Sequence, residues 1–300
     1  MLVVAVVSIF ANKPPETGLS PAVLTAATIV FALVAIVVIA RGRNRLRQTT
    51  LTHALWWCIG SLAVLAVLEA ASLWLHWQSE AGDWSRALRL ISASGMFCPA
   101  MAVLGARRPH HVAWQFIVAS MWVMLSLPAL EAVFLGRLET MDVGPVRGWF
   151  LWLMVAVSFV IYALTRFTFV AILTALGQVV LLSPFLPGMG GWGPFEWHPP
   201  AAAGLFMVAA IITASGYPRV RISDNEFDQR WFDFRDQFGA MWGLRVIERI
   251  NAAARMYQWP FSLTWTGFYF HEAKTDWSSV SPGVKAELRQ TLDNLLRRFV

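Results

Sequence analysis

The sequence predicts an all-helical polytopic membrane protein with seven transmembrane helices, followed by a small cytoplasmic α+β tail. Of its 300 residues 57% are hydrophobic and only 14% are charged, with a mean hydropathy of +0.55. Soluble domains are on average about a quarter charged. The charge is uneven: eight acids and twelve bases lie in 1–217, and ten acids and twelve bases in the much shorter 218–300. This pattern excludes a secreted disulfide scaffold, a disordered chain and a soluble nucleic-acid binder.

Apolar stretches of about 20 residues can cross a hydrocarbon core of ~30 Å. The candidate spans are 20–40, 54–75, 88–106, 112–135, 148–166, 167–186 and 200–217. The predicted domains are therefore an outer interfacial segment at 1–19, a membrane domain at 20–217 and a cytoplasmic tail at 218–300. The apolar run 1–11 is too short to span, and a cleaved signal is the alternative there.

Arginine-rich loops set the predicted orientation. One set of loops carries bases and no acid: Arg41, Arg43, Arg45, Arg47, Arg107, Arg108 and Arg166. The opposite segments mix their bases with acids. Since cytoplasmic loops carry an excess of basic residues, we expect the N-terminus outside and the C-terminus inside. The net charge of +6 then reflects topology rather than a nucleic-acid partner, and the arginine bias favours a bacterial inner membrane.

Glutamates inside two predicted spans are the main candidate polar site. Glu69 and Glu131 each lie in an ascending helix, and hairpin geometry brings them near Arg89 and Arg147 respectively. Gln178 lies at a comparable depth in the sixth span. These groups either fix hairpin register as ion pairs or form a polar site for a cation, proton or amine at the outer face.

Two further patterns suggest a metal or a cofactor, although none is favoured. Cys98 with Met96 and Met101 offers sulfur ligands that suit copper(I), around a helix-kinking Pro99. Helix packing explains the same residues. Pro128 predicts another kink.

His76 and His198 lie at the same predicted face and are candidate axial haem ligands. The segment from Gly191 to Pro199 loosely resembles the tryptophan-rich outer loop of cytochrome c assembly proteins, which handle haem. It lacks their Trp-Asp pair and has His198 where the aspartate would be. The resemblance implies haem handling at the outer face.

The tail pattern predicts an amphipathic helix over 225–258, a strand or hairpin over 261–270, and a last helix that begins at Ser281-Pro282. About 80 residues is near the lower limit for an independent core, so we expect support from the membrane surface or another subunit. A protein partner or inner-leaflet lipid at 224–300 would provide it.

No motif of a soluble enzyme is present, and we identify no catalytic residue. A retinal protein is excluded because the span 200–217 has no lysine. The favoured function is a non-catalytic scaffold, assembly factor or accessory subunit. The alternatives are a secondary transporter or ion- or proton-coupled carrier that uses Glu69 and Glu131, and a haem- or copper-handling membrane protein.

Overall fold

A computed structural model of the chain describes residues 20–46, 49–77, 84–136, 138, 141–189, 195–217, 223–272 and 276–299. The segment 1–19, for which the sequence predicts an interfacial stretch or a signal, lies outside the described residues. The described part is mostly helical and contains one two-stranded sheet.

The described residues between 20 and 217 form a helical bundle in which several helices begin with a proline, as at Pro21 and Pro145. Proline is favoured there because the first N–H groups of a helix have no intrahelical acceptor. The helices are α1 (Pro21–Arg41), α2 (Arg43–Leu46), α3 (Thr52–Trp77), α4 (Trp84–Gly95), α5 (Cys98–Leu104), α6 (His111–Phe134), α7 (Pro145–Ala163), α8 (Thr168–Leu182) and α9 (His198–Ala214).

Six helical segments in the described part of the chain are long and apolar enough to cross a membrane. They are α1, α3, α4 with α5, α6, α7, and α8 extended to Phe185. The seventh predicted span corresponds to α9, an apolar helix of 17 residues. Six candidate spans are therefore supported, and the seventh crossing stays a prediction.

The third span, α4 with α5, lies at the centre of the bundle. Of the residues in its apolar window 67% are buried, against 22% to 39% in the other five spans. Helix α4 packs between α3 and α6, while α9 packs against α1 and α8. The outer helix faces expose apolar side chains, such as those of Leu33, Phe116 and Leu153. Contiguous exposed apolar surface of this kind suits contact with lipid.

The C-terminal unit, residues 223–272 and 276–299, contains two helices and a hairpin. These are α10 (Glu226–Met256), β1 (Phe261–Thr264), β2 (Gly267–Phe270) and α11 (Pro282–Leu296). Asn225 and Ser281 cap the two helices by accepting hydrogen bonds from the N–H groups of Phe227 and Val284, at 3.0 and 3.4 Å. The strands pair antiparallel, with Phe261 opposite Phe270.

Helix α10 is kinked, whereas the sequence predicts one continuous helix. At the kink Gly239 has φ 78° and ψ −175°, a conformation that essentially only glycine adopts. A Cβ atom at this position would lie 2.5 Å from the carbonyl oxygen of Ile161. The kink therefore lets α10 pass in direct contact with the end of α7.

The C-terminal unit shares one hydrophobic core with the bundle. Trp231, Phe238 and Trp242 belong to the same cluster of buried side chains as Cys98 and Ile161. The sequence predicts outside support for a unit of this size. In the structure the chain's own helices cover the apolar face of α10.

Backbone groups of three bundle loops bond to the C-terminal unit. The N–H groups of Thr50 and Arg108 donate to the carbonyl oxygens of Phe299 and Arg298, at 3.0 and 2.9 Å. The Trp265 indole N–H donates to the carbonyl oxygen of Leu164 at 2.7 Å. The loops after α2, α5 and α7 therefore lie at one face of the bundle, together with the C-terminal unit.

Candidate functional site in the bundle

Glu69 and Arg89 form a buried ion pair between α3 and the central helix α4. The Nε of Arg89 donates to Oε1 of Glu69 at 3.0 Å, and the two residues are 8% and 3% exposed. The hairpin geometry predicted from the sequence thus corresponds to a direct contact. A buried charge that loses its partner is costly, so each residue depends on the other.

The central span, Trp84–Leu104, is broken near its middle. Helix α4 ends at Gly95 and α5 begins at Cys98, with Pro99 in its first turn. Proline has no N–H to donate, so it cannot continue the hydrogen-bond ladder of α4. The kink predicted around Pro99 is a break of two residues, Met96 and Phe97, whose N–H groups donate three residues back to the carbonyl oxygens of Ala93 and Ser94. Pro128, for which the sequence also predicts a kink, lies inside the continuous helix α6.

Side chains from the neighbouring helices satisfy carbonyl oxygens along the broken span. The donors are Oγ of Ser61 to Gly95 at 2.6 Å, Nε2 of Gln178 to Met96 at 3.1 Å, Nε1 of Trp122 to Ile91 at 2.9 Å and Nε1 of Trp114 to Met101 at 2.8 Å. An unsatisfied carbonyl within a membrane costs several kcal/mol. The interruption is therefore held by donors on α3, α6 and α8.

Gln178 is 1% exposed and lies beside the break. The sequence predicted it at the depth of Glu69, but its bond to Met96 puts it near the middle of the third span. Its Oε1 is buried and has no hydrogen-bond partner among the described residues. Gln178 thus presents one unpaired acceptor inside the bundle.

Glu131 does not repeat the arrangement of Glu69. Glu131 and Arg147 are both exposed, and neither takes part in an ion pair among the described residues. The prediction fails because α6 packs against α4 whereas α7 packs against α8, so these consecutive helices do not form a close hairpin. Glu131 lies in the last turn of α6, where a carboxylate can reach the headgroup region.

The haem-ligand candidates are only partly described. His198 begins α9, is 9% exposed, and has Nδ1 at 3.4 Å from Oγ of Ser183. His76 lies in the last turn of α3, but its side chain is outside the described part of the structure. Residues 191–194 of the tryptophan-rich loop are also outside the described residues. Haem ligation by this pair stays a prediction.

The candidate copper ligands pack in different places. Cys98 belongs to the core that faces the C-terminal unit, Met96 to the core within the bundle, and Met101 touches both. No group of three or more His, Cys, Asp or Glu side chains among the described residues has metal-binding geometry. A copper site formed by these sulfur atoms stays a prediction.

A second buried ionic cluster joins the bundle to the C-terminal unit, and sequence reasoning missed it. Oδ1 of Asp236 accepts from Nη2 of Arg235 at 2.8 Å, and Oδ2 of Asp236 lies 3.8 Å from Nε of Arg166. Nη1 of Arg235 donates to the carbonyl oxygen of Trp265 at 2.8 Å. The available signal was an Arg-Asp pair three residues before Gly239 in a helix otherwise predicted to be amphipathic.

The C-terminal unit also has an open cleft of about 480 Å³, lined in part by Arg255, Gln258 and His271.

Comparisons with models of protein families, with curated proteins and with solved structures found no match for this chain, so no likeness to another protein bears on its function.

Proposed function

We propose that the chain is a non-catalytic scaffold, assembly factor or accessory subunit of a bacterial inner membrane. The observation that carries this proposal is that the polar groups of the central span have internal partners. Glu69 bonds to Arg89, and side chains from neighbouring helices satisfy the carbonyl groups around the break. Such bonding stabilises one arrangement of helices, which is what a protein that presents a fixed surface needs.

We further propose seven crossings with the C-terminus in the cytoplasm. The loops after α2, α5 and α7 contact the C-terminal unit. The last two of these loops contain Arg107, Arg108 and Arg166, which are among the arginines expected on the cytoplasmic side. Helix α8 leads away from that face, so α9 has to return for the chain to reach α10. Two observations support that crossing. Helix α9 packs closely against α1 and α8, and its 17 residues are at the lower end of the range that can span a bilayer.

The C-terminal unit is the proposed docking surface for a protein partner. Its apolar faces pack on the bundle, so it is held in place before any partner binds. The cleft beside Arg255 and His271 is open, and both side chains are exposed. A partner would therefore meet a folded surface rather than an unfolded tail.

A secondary transporter is the second candidate, and two observations favour it. The central helix is discontinuous, as substrate-binding helices of transporters often are. The unpaired Oε1 of Gln178 lies beside that discontinuity and could accept a hydrogen bond from a solute or bind a cation.

Substitution of Glu69 separates the two functions, with Glu131→Gln as the matched control. The scaffold function predicts that Glu69→Gln lowers the melting temperature, while Glu131→Gln changes it little because Glu131 is exposed. Uptake of protons, sodium ions and amines into proteoliposomes should be equal for wild type and both variants. Flux that only Glu69→Gln abolishes, with the melting temperature unchanged, would establish the transporter instead.

Reporters active on one side of the membrane, fused to each end, test the orientation.

A further inference from the structure

Four arginines from three separate segments lie together at the end of the central span. Arg107 follows α5, Arg245 and Arg249 lie on α10, and Arg298 follows α11. We call this set the arginine cluster. Arg107 is partly buried and the other three are exposed. None of the four belongs to an ion pair between described residues, and Glu248, the acid nearest along α10, does not pair with them.

Hydrogen bonds fix the three segments relative to one another. The N–H of Arg108 donates to the carbonyl oxygen of Arg298 at 2.9 Å, and the indole N–H of Trp242 donates to that of Val103 at 2.9 Å. The guanidinium of Arg245 lies over the ring of Trp242, at 5.1 Å from its centroid. Because Val103 is in the last turn of α5, the arginine cluster lies where an apolar span ends.

The cluster concentrates positive charge without an internal counter-charge. Burial lowers the pKa of the Arg107 guanidinium, and the positive charges of Arg298, Arg245 and Arg249 lower it further. Neighbouring positive charges disfavour the ionised form of a guanidinium, whereas a bound anion favours it. Arginine is well suited to such an anion, since its planar fork donates two parallel hydrogen bonds to phosphate oxygens.

We propose that the arginine cluster binds the headgroup of an anionic phospholipid. Met241, one turn before Arg245, and Leu244, directly before it, are exposed on α10, and they offer apolar contact for acyl chains beside the charged group. Apolar side chains next to arginines at the end of a span match the boundary between acyl chains and headgroups. The inference rests on the proposed function in one respect, since this face has to lie at headgroup level in a bilayer.

Native mass spectrometry of the full chain in detergent, titrated with phosphatidylglycerol or phosphatidylcholine, tests the proposal. The variant is Arg249→Gln with Arg298→Gln. The matched control is Arg147→Gln with Arg255→Gln, which also removes two exposed arginines that belong to no ion pair between described residues. We expect wild type to prefer phosphatidylglycerol, the variant to bind it roughly tenfold more weakly, and the control to resemble wild type.

Equal binding of the two lipids, or an equal loss in variant and control, would overturn the proposal. Inorganic phosphate that displaces phosphatidylglycerol at similar concentration would identify a site for a free anion, and tight binding of a short RNA would identify a nucleic-acid surface. If the variant fails to elute as a monodisperse species, Arg245→Gln with Arg249→Gln replaces it. Reporter fusions that contradict the topology would refute the proposed orientation. A measured preference of the protein for phosphatidylglycerol would still stand.

Discussion

The indole N–H of Trp242 on α10 donates a hydrogen bond to the carbonyl oxygen of Val103 in the last turn of α5, at 2.9 Å. The end of a helix leaves its last carbonyl groups without intrahelical donors. At the end of the broken central span, the carbonyl oxygen of Val103 has two donors: the N–H of Ala106 at 3.1 Å, and the indole N–H of Trp242, from a segment 139 residues further along the chain. Stability of the central span and attachment of the C-terminal unit are coupled through this bond.

Trp242→Phe should destabilise the protein by about 0.5–1.5 kcal/mol beyond its loss of apolar contact, because the carbonyl oxygen of Val103 loses one of its two donors and keeps the N–H of Ala106, at 3.1 Å. Trp231→Phe is the control, since the indole N–H of Trp231 is buried without a hydrogen-bond partner among the described residues. Hydrogen exchange of the α5 amides should accelerate in the Trp242 variant alone. Equal exchange in both variants would mean that the bond contributes nothing to the end of the span.

Gly239→Ala should cost about 3 kcal/mol or more and loosen the C-terminal unit. The residue has a positive φ, and a methyl group there would meet the carbonyl oxygen of Ile161 at 2.5 Å. Gly188→Ala is a useful comparison, because Gly188 also has a positive φ of 80° but has open space around the added carbon. Thermal unfolding in detergent should therefore give a larger loss at Gly239, and similar losses would assign the effect to φ alone.

Local signals in the sequence were sufficient for most elements. Hydropathy and length located the six supported candidate spans, and a Ser-Pro pair located the start of α11. One hairpin contact, between Glu69 and Arg89, followed from helix rise alone. The same reasoning failed for Glu131 and Arg147, because consecutive helices need not be neighbours in a bundle. Hydrophobic periodicity and helical rise predict the position of a residue along its helix, but they do not predict which other helix that helix packs against.

Contacts across long sequence separations were beyond such reasoning. The donors at the helix break, Ser61 and Gln178, come from α3 and α8, and their roles depend on three-dimensional packing. The apolar face of α10 was predicted from its periodicity, whereas its partner was not. An amphipathic pattern predicts that one face of a helix is buried, but it does not predict which part of the protein covers that face.

Simultaneous replacement of Glu69 and Arg89 by leucine should be better tolerated than either single replacement. Each single change leaves one charge buried without its partner, which costs about 3–5 kcal/mol, whereas the double change removes both charges. A double-mutant cycle of thermal unfolding measures the coupling. If the double variant lost as much stability as the sum of the two single variants, the two side chains would act independently and the pair would have no role in fixing the α3–α4 hairpin.

Two serines in the spans should respond oppositely to alanine. Oγ of Ser61 donates to the carbonyl oxygen of Gly95 at 2.6 Å, so Ser61→Ala leaves a buried acceptor unpaired at the helix break and should cost about 1–3 kcal/mol. Oγ of Ser158 is buried with no hydrogen-bond partner among the described residues, so Ser158→Ala removes an unsatisfied group and should be neutral or stabilising. Melting temperatures of the two variants check the difference. A loss at Ser158 as large as that at Ser61 would show that the hydroxyl of Ser158 is hydrogen-bonded in the folded protein, whereas no loss at Ser61 would show that the break at Gly95 needs no side-chain donor.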